Sequence, residues 1–263
     1  MKWLLYIWMI IWTGSLVLFF LNLDIVENTY LQWREKNQVI LRTEKAGTGQ
    51  AGESSARHII PAYRQEANMI INVPLIQQMP ELPRGCEVTS LAMLLHFHGL
   101  PVSKMELAER IVKQPFQQGG YKGNMHEGFV GDMTTYDRPG LGVYVEPVID
   151  LVSNYIHKEQ IVNISGKQAE DIYHYLDNGL PVWVIINSRM KKLPAEQFET
   201  WKTNQGNMKV TYRQHSVIIT GHDKQYVYVN NPLKHEKNSR VNKKDFEAAW
   251  IQMGRQAMTI TSP

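Results

Sequence analysis

The run Trp3 to Leu23, WLLYIWMIIWTGSLVLFFLNL, contains no charged residue, and it divides the chain before any fold is considered. At about 1.5 Å per residue it is long enough for the roughly 30 Å hydrocarbon layer of a bilayer. It is therefore expected to span a membrane as a helix. A cleaved signal peptide has a shorter apolar region, about 7–15 residues, and a small-x-small site, which does not follow Leu23; an uncleaved anchor over 1–23 is the better reading. Lys2 precedes the run, whereas Asp24 and Glu27 follow it. That charge bias puts the N-terminus in the cytoplasm and the rest of the chain outside, as a single-pass cell-membrane protein.

Residues 24–66 follow as a stalk and a flexible linker, the latter marked by EKAGTGQAGESSAR at Glu44 to Arg57. Apolar and aromatic residues return from Ala67, so the folded domain is expected over 67–263. The chain has 263 residues, 43% of them hydrophobic, enough for one domain with a sizeable core. Its 28 Lys and Arg against 25 Asp and Glu give a net charge of only +3. That balance does not point to a nucleic-acid partner. A single cysteine, Cys86, excludes an intrachain disulfide, so the domain must rely on its core.

Apolar spacing predicts helices over Glu87 to His98, with Gly99 as the stop, over Lys104 to Val112, and over Gln168 to Asp177. Extended runs are expected at Met69 to Ile76, Leu180 to Asn187, His215 to Gly221 and Gln225 to Asn230. The last two flank His222, Asp223 and Lys224 and read as a hairpin. Helices mainly first and an antiparallel sheet after them make the fold class α+β.

Cys86 falls at the start of the first of these helices, where free backbone amides and the macrodipole favour a thiolate. Gly85 beside it permits close backbone approach and an unusual dihedral. The alternative is a small buried hydrophobe capping an ordinary helix. A nucleophilic thiol needs a base, and of the nine histidines His215 stands out by its strand. If facing positions in the hairpin sum to 445 or 446, His215 lies opposite Asn230 or Asn231, whose carboxamide then orients the imidazole. The rival reading is a satisfied core histidine and two turn-forming asparagines before Pro232.

The segment NVPLIQQMPELPRGCEVTSLAML, Asn72 to Leu94, resembles the bacteriocin-processing, double-glycine leader peptidase family and its membrane-anchored bacterial relatives, which are papain-like. GNMHEGFVGDMTTYDRPGLGVYVEPVIDL at Gly123 to Leu151, QHSVIITGHD and YVNNP are similar to further motifs of those relatives. The resemblance implies a cysteine peptidase with Cys86 as nucleophile, His215 as base and Asn231, the residue before Pro232, as the orienting group. It also implies Gln78 as an oxyanion donor, with Gln77 as a close rival because Gln78 stands slightly farther from Cys86 than is usual. Transporter-fused members carry aspartate before the proline, so Asn231 departs from them toward the papain arrangement.

The expected activity is extracytoplasmic cleavage of a peptide or protein substrate through an acyl-enzyme, with no cofactor. Two other readings use the same residues: a catalytically silent peptide or cell-wall binding module, and a thiol amidase or acyltransferase. No ATP-binding segment is present, so any transporter partner is expected to be a separate chain. Cys86 with His96, His98 or His126 lacks the tight spacing of a metal set, so no metal is expected. The glycine-rich stretch from Gly119 to Gly131 lacks a phosphate-loop ending and is expected to line the cleft. Asp132 and Asp137 read as solvated turn carboxylates, and Trp183, Trp201 and Trp250 as core.

Overall fold

Helix formation starts at the cysteine itself. The computed structural model describes residues 70–261, and α1 occupies Cys86–Phe97, one residue earlier than the periodicity alone places it. Cys86 through Leu95 are all buried, the polar Glu87, Thr89 and Ser90 included, so the helix is enclosed on every side. Gly99, at φ +78°, lies just beyond its end in the left-handed region that glycine tolerates. The expected anchor over 1–23 and the stalk and linker over 24–66 lie outside the described residues. Among the described residues, no helix is long and apolar enough to cross a membrane.

Helix α2, Lys104–Arg110, is capped by the Ser103 hydroxyl, which accepts the Glu106 N–H at 3.1 Å. Four two-residue strands follow: β1 Lys113–Gln114, β2 Gln117–Gln118, β3 Tyr121–Lys122 and β4 Phe129–Val130. Next come α3 Val145–Val152, β5 Ile161–Asn163 and α4 Ala169–Asp177. The Asp171 carboxylate accepts the Gln168 N–H at 2.9 Å and fixes the start of α4. The remainder is β6 Val182–Asn187, β7 Glu199–Thr203, β8 Gly206–Val210, β9 Gln214–His222, β10 Tyr226–Asn230, β11 Ser239–Asn242, α5 Lys243–Gln252 and β12 Ala257–Ile260. Residues 70–76, expected as an extended run, belong to no strand; the segment is tied down by Ile71 N–H to Thr220 O at 2.7 Å.

Six strands form one antiparallel sheet in the order β11-β10-β9-β6-β12-β5. Every residue of β6 is buried, and so are His215 through Gly221 of β9. Both faces of these central strands are therefore covered. Helices also occur between and after the strands, as α4 and α5, so the helical part is not confined to the N-terminal half. The mixed fold nevertheless remains α+β, because the sheet is wholly antiparallel.

The hairpin register differs from the expected one. Val227 pairs with His222 and Tyr228 with Gly221, then a bulge shifts the pairing to Val229 with Ile219 and Asn230 with Ile218. Facing positions thus sum to 449 and then 448, because β9 continues through His222 and the turn falls one residue later than expected. His215 lies beyond the end of β10, and Asn231 reaches it diagonally, from the face shared by alternate residues. Trp183 and Trp250 are fully buried. Trp201 belongs to a smaller apolar cluster with Met125, Val130, Leu141, Tyr144 and Val210.

Candidate active site

The loop before α1 is held from several sides. A side chain at Gly85 would bring its Cβ within 2.5 Å of the Leu82 Cβ, so glycine is needed for close approach. Its φ of −99° is ordinary, and the unusual dihedral expected there is not adopted. Lys104 Nζ donates to Gln77 O at 2.6 Å and Gln78 O at 3.1 Å and pairs with Glu81 at 2.6 Å. The Arg84 N–H donates to Met133 O at 3.1 Å, and its guanidinium donates to the carbonyls of Asp132 and Thr135 and lies over the Tyr136 ring. The 131–140 segment is thereby fastened beside the cysteine. Burial works against ionisation of Asp132, yet hydrogen bonds from Thr134 and the Arg138 charge hold its carboxyl at about 2. Asp132 and Asp137 bond within their own turn.

His215, on β9, is buried, and its Nε2 lies 2.9 Å from Asn231 Oδ1, which also accepts the Leu233 N–H at 2.9 Å. A carboxamide oxygen only accepts, so Nε2 carries the proton and the Nδ1 lone pair is left as the basic site. Burial lowers the His215 pKa to about 4, with the Asn231 bond opposing. The imidazole is therefore neutral at neutral pH. Asn230, the other candidate, is turned to structural bonds, with Nδ2 on Val73 O at 3.0 Å and Oδ1 accepting the Asn238 N–H at 2.9 Å.

Cys86 meets this strand one step along. The Ser216 N–H interacts with its sulfur, and Ser90, one turn farther along α1, donates to Ser216 O at 3.0 Å. Gln78 closes the ring: its backbone N–H donates to Pro232 O at 3.0 Å, next to Asn231. Its buried amide Nε2 donates to Leu82 O at 3.2 Å and Pro83 O at 2.9 Å, leaving Oε1 without a partner. Two carbonyls fix that orientation, so donation to an oxyanion requires the amide to turn. Gln77 points elsewhere, toward Lys234 O at 2.6 Å. The structure thus brings together the segments carrying Cys86, His215, Asn231 and Gln78.

One neighbour was not anticipated. The Cys86 Sγ–H donates to Glu87 Oε2 at 3.2 Å, and Glu87 is fully buried. Burial and then the Glu87 carboxylate push the thiol pKa well above its ordinary value. This reverses the expectation of a thiol acidified by its helix N-terminus. The macrodipole is worth about 0.3–1 kcal/mol, and about 2 at most. A full charge near 3.2 Å is worth on the order of 5 kcal/mol even at an effective dielectric of about 20. The carboxylate outweighs the dipole.

Glu87 is itself raised by burial, an effect opposed by Gln214 Nε2 at 3.0 Å and the Val143 N–H at 3.3 Å, both donating to Oε1. The sequence did carry a signal for it: Glu87 is the one carboxylate in a helix whose other residues are apolar save Thr89, Ser90 and His96. Five buried side-chain polar atoms lack a partner among the described residues, and three of them, Gln78 Oε1, Gln214 Oε1 and Ser216 Oγ, belong to this site. Such atoms are rare in a packed interior, and their concentration here marks a place built for something beyond packing. His96 and His126 are engaged elsewhere, with Val102 O and Glu146. A cavity of about 290 Å³, lined by His126, Tyr144, Phe198, Met208 and Gln252 among others, includes none of the four expected site residues.

The chain is similar to known proteins. The model of the Peptidase_C39 like family matches residues 70–258. The uncharacterized protein YvpB of Bacillus subtilis (strain 168) is 42% identical over 193 residues, covering 72% of this chain and 75% of that protein. The crystal structure of a proposed C39-like peptidase from Bacillus anthracis superposes with a TM-score of 0.71 at 43% identity, covering 74% of this chain and 98% of that one.

Proposed function

The chain belongs to the C39-like peptidase family, and from that premise we propose that it is a membrane-anchored cysteine peptidase acting outside the cell through Cys86, His215 and Asn231. The observation that carries the reading is the buried His215–Asn231 bond of 2.9 Å, which leaves Nδ1 as the only basic nitrogen, on the strand step that meets Cys86. In the reaction, the Cys86 proton passes to Nδ1 as sulfur attacks a peptide carbonyl. The oxyanion is met by the Cys86 backbone N–H, which at the first turn has no intrahelical acceptor. Gln78 adds its amide once it turns from Leu82 O and Pro83 O. The imidazolium then protonates the leaving amine, and water releases the acyl-enzyme.

Turnover of a peptide library by the full chain in detergent, lost in Cys86→Ser, is the expected result; turnover that persists in the variant would sink the assignment. The uncharged run at 3–23, with Lys2 before it and Asp24 and Glu27 after it, supports the anchor and its orientation. Protease added to intact cells should degrade the domain, and a protected domain reverses the orientation. The hydrogen bond from the Cys86 thiol to Glu87 favours a second reading, a binding module that keeps the cleft without turnover. An inactive chain that still binds library peptides would establish it.

A further inference from the structure

Glu87 is placed as only a built feature can be. Both carboxyl oxygens are used, Oε1 by Gln214 Nε2 and the Val143 N–H, Oε2 by the Cys86 Sγ–H. Each of these partners is a donor, which is the set an ionised carboxylate needs. The space is reserved as well. A Cβ at Gly142 would come within 2.5 Å of Glu87 Oε1 and 2.4 Å of Gln214 Nε2. The helix turn that carries Glu87 is pinned by Trp183 Nε1, which donates to Glu87 O at 3.1 Å.

We propose that Glu87 is a positioning residue that governs the nucleophile: as a carboxylate accepting the Sγ–H it keeps Cys86 a neutral, unreactive thiol, and protonation of that carboxyl releases the thiol to His215. The step balances with one proton from solvent. It converts the Glu87 carboxylate to the neutral acid, the thiol proton then moves to His215 Nδ1, and the new charge on sulfur faces an O–H instead of an O⁻. The titratable group that faces Glu87 is Cys86 on its own helix; on β9 the residue that meets it is Gln214, and the adjacent His215 alternates to the other face of the strand. The other facing groups, the Gln214 amide, the Val143 N–H, Gly142 and the Trp183 indole, carry no charge. Burial raises the Glu87 pKa, which moves its protonation toward the pH range where a base at His215 is neutral.

This inference rests on Cys86 being the nucleophile, but its test needs no peptide substrate. Iodoacetamide alkylation of Cys86 is followed against pH in the full chain in detergent. Glu87→Gln keeps the shape and the acceptor for Gln214 and removes the charge. Its alkylation midpoint is expected to fall by about one pH unit or more, giving roughly tenfold faster reaction at neutral pH with an unchanged melting temperature. Superimposed profiles for the two proteins overturn the proposal. Should Glu87→Gln fail to fold, Gln214→Leu decides. It leaves the carboxyl but removes a donor that favours ionisation, so the acid-side reactive range should extend to higher pH, and an unshifted range overturns the proposal equally. Loss of peptide turnover with these shifts present would count against the peptidase reading alone.

Discussion

Replacing Asn231 perturbs His215 without touching Cys86. Its Oδ1 accepts from both His215 Nε2 and the Leu233 N–H, at 2.9 Å each. Asn231→Ala strands two donors in the interior, at about 1–3 kcal/mol apiece. The Leu233 donor is only part-buried, so a total of about 2–4 kcal/mol is expected, a fall in melting temperature of roughly 5–15 °C for a domain of this size. The His215 pKa should drop further, because the bond that opposes burial is gone. Asn231→Asp should do the reverse, since a carboxylate at the same place stabilises the imidazolium and raises the pKa by about 1–3 units. The sign of the linked stability follows. His215 titrates at about 4 when folded against an ordinary 6.5, so the stability gained by its neutral form is complete above 6.5 and lost as pH falls toward 4, on the order of 3 kcal/mol in all. That acid loss should shrink in Asn231→Asp. Imidazole titration by NMR, with thermal melts across the same pH range, reads both effects. An Asn231→Ala protein with wild-type melting and unchanged His215 titration would refute the tautomer assignment and with it the choice of Nδ1 as base.

Three further outcomes follow from the same contacts. Lys104→Met removes the donor to Gln77 O and Gln78 O, so steady-state kcat should fall while Cys86 alkylation stays at the wild-type rate; equal losses in both would deny the Gln78 loop a separate role. Trp183→Phe loses the bond to Glu87 O and should cost about 1–3 kcal/mol in chemical unfolding, with no measurable change in stability as the contrary result. Gly142→Ala pushes Gln214 Nε2 and Glu87 Oε1 apart, and its alkylation profile should shift in the direction of Gln214→Leu; a profile identical to wild type would mean the pair relaxes without consequence.

How far the sequence carries depends on what sets each feature. The helices α1, α2 and α4 and the strands β6, β9 and β10 were legible because apolar spacing and capping residues act locally. Helix α3 and the β7–β8 hairpin were not. The first has a proline, Pro147, inside it, and the second alternates weakly and mostly faces solvent, so neither displays a clean period. The hairpin register also escaped, because β9 runs on through His222 and β10 begins only at Tyr226, which places the turn one residue later than its residue types suggest. The facing positions left Asn230 and Asn231 both open, and the resemblance singled out Asn231, the residue that bonds His215 at 2.9 Å.

Charge near Cys86 was misjudged for a different reason. Residues one apart on a helix normally diverge, so Cys86 and Glu87 give no sequence sign of contact. The contact arises because Glu87 has nowhere solvated to go: it lies in a helix stretch buried from Cys86 to Leu95, and among the described residues the donors that reach its carboxyl are the Gln214 amide, the Val143 N–H and the thiol. A carboxylate confined in this way takes whatever donors are present, and one of them is the Cys86 thiol. The helix N-terminus that argues for a reactive thiolate is therefore present and outweighed. Because the two influences act on the same sulfur with opposite sign, the ionisation of one buried side chain decides which of them governs Cys86.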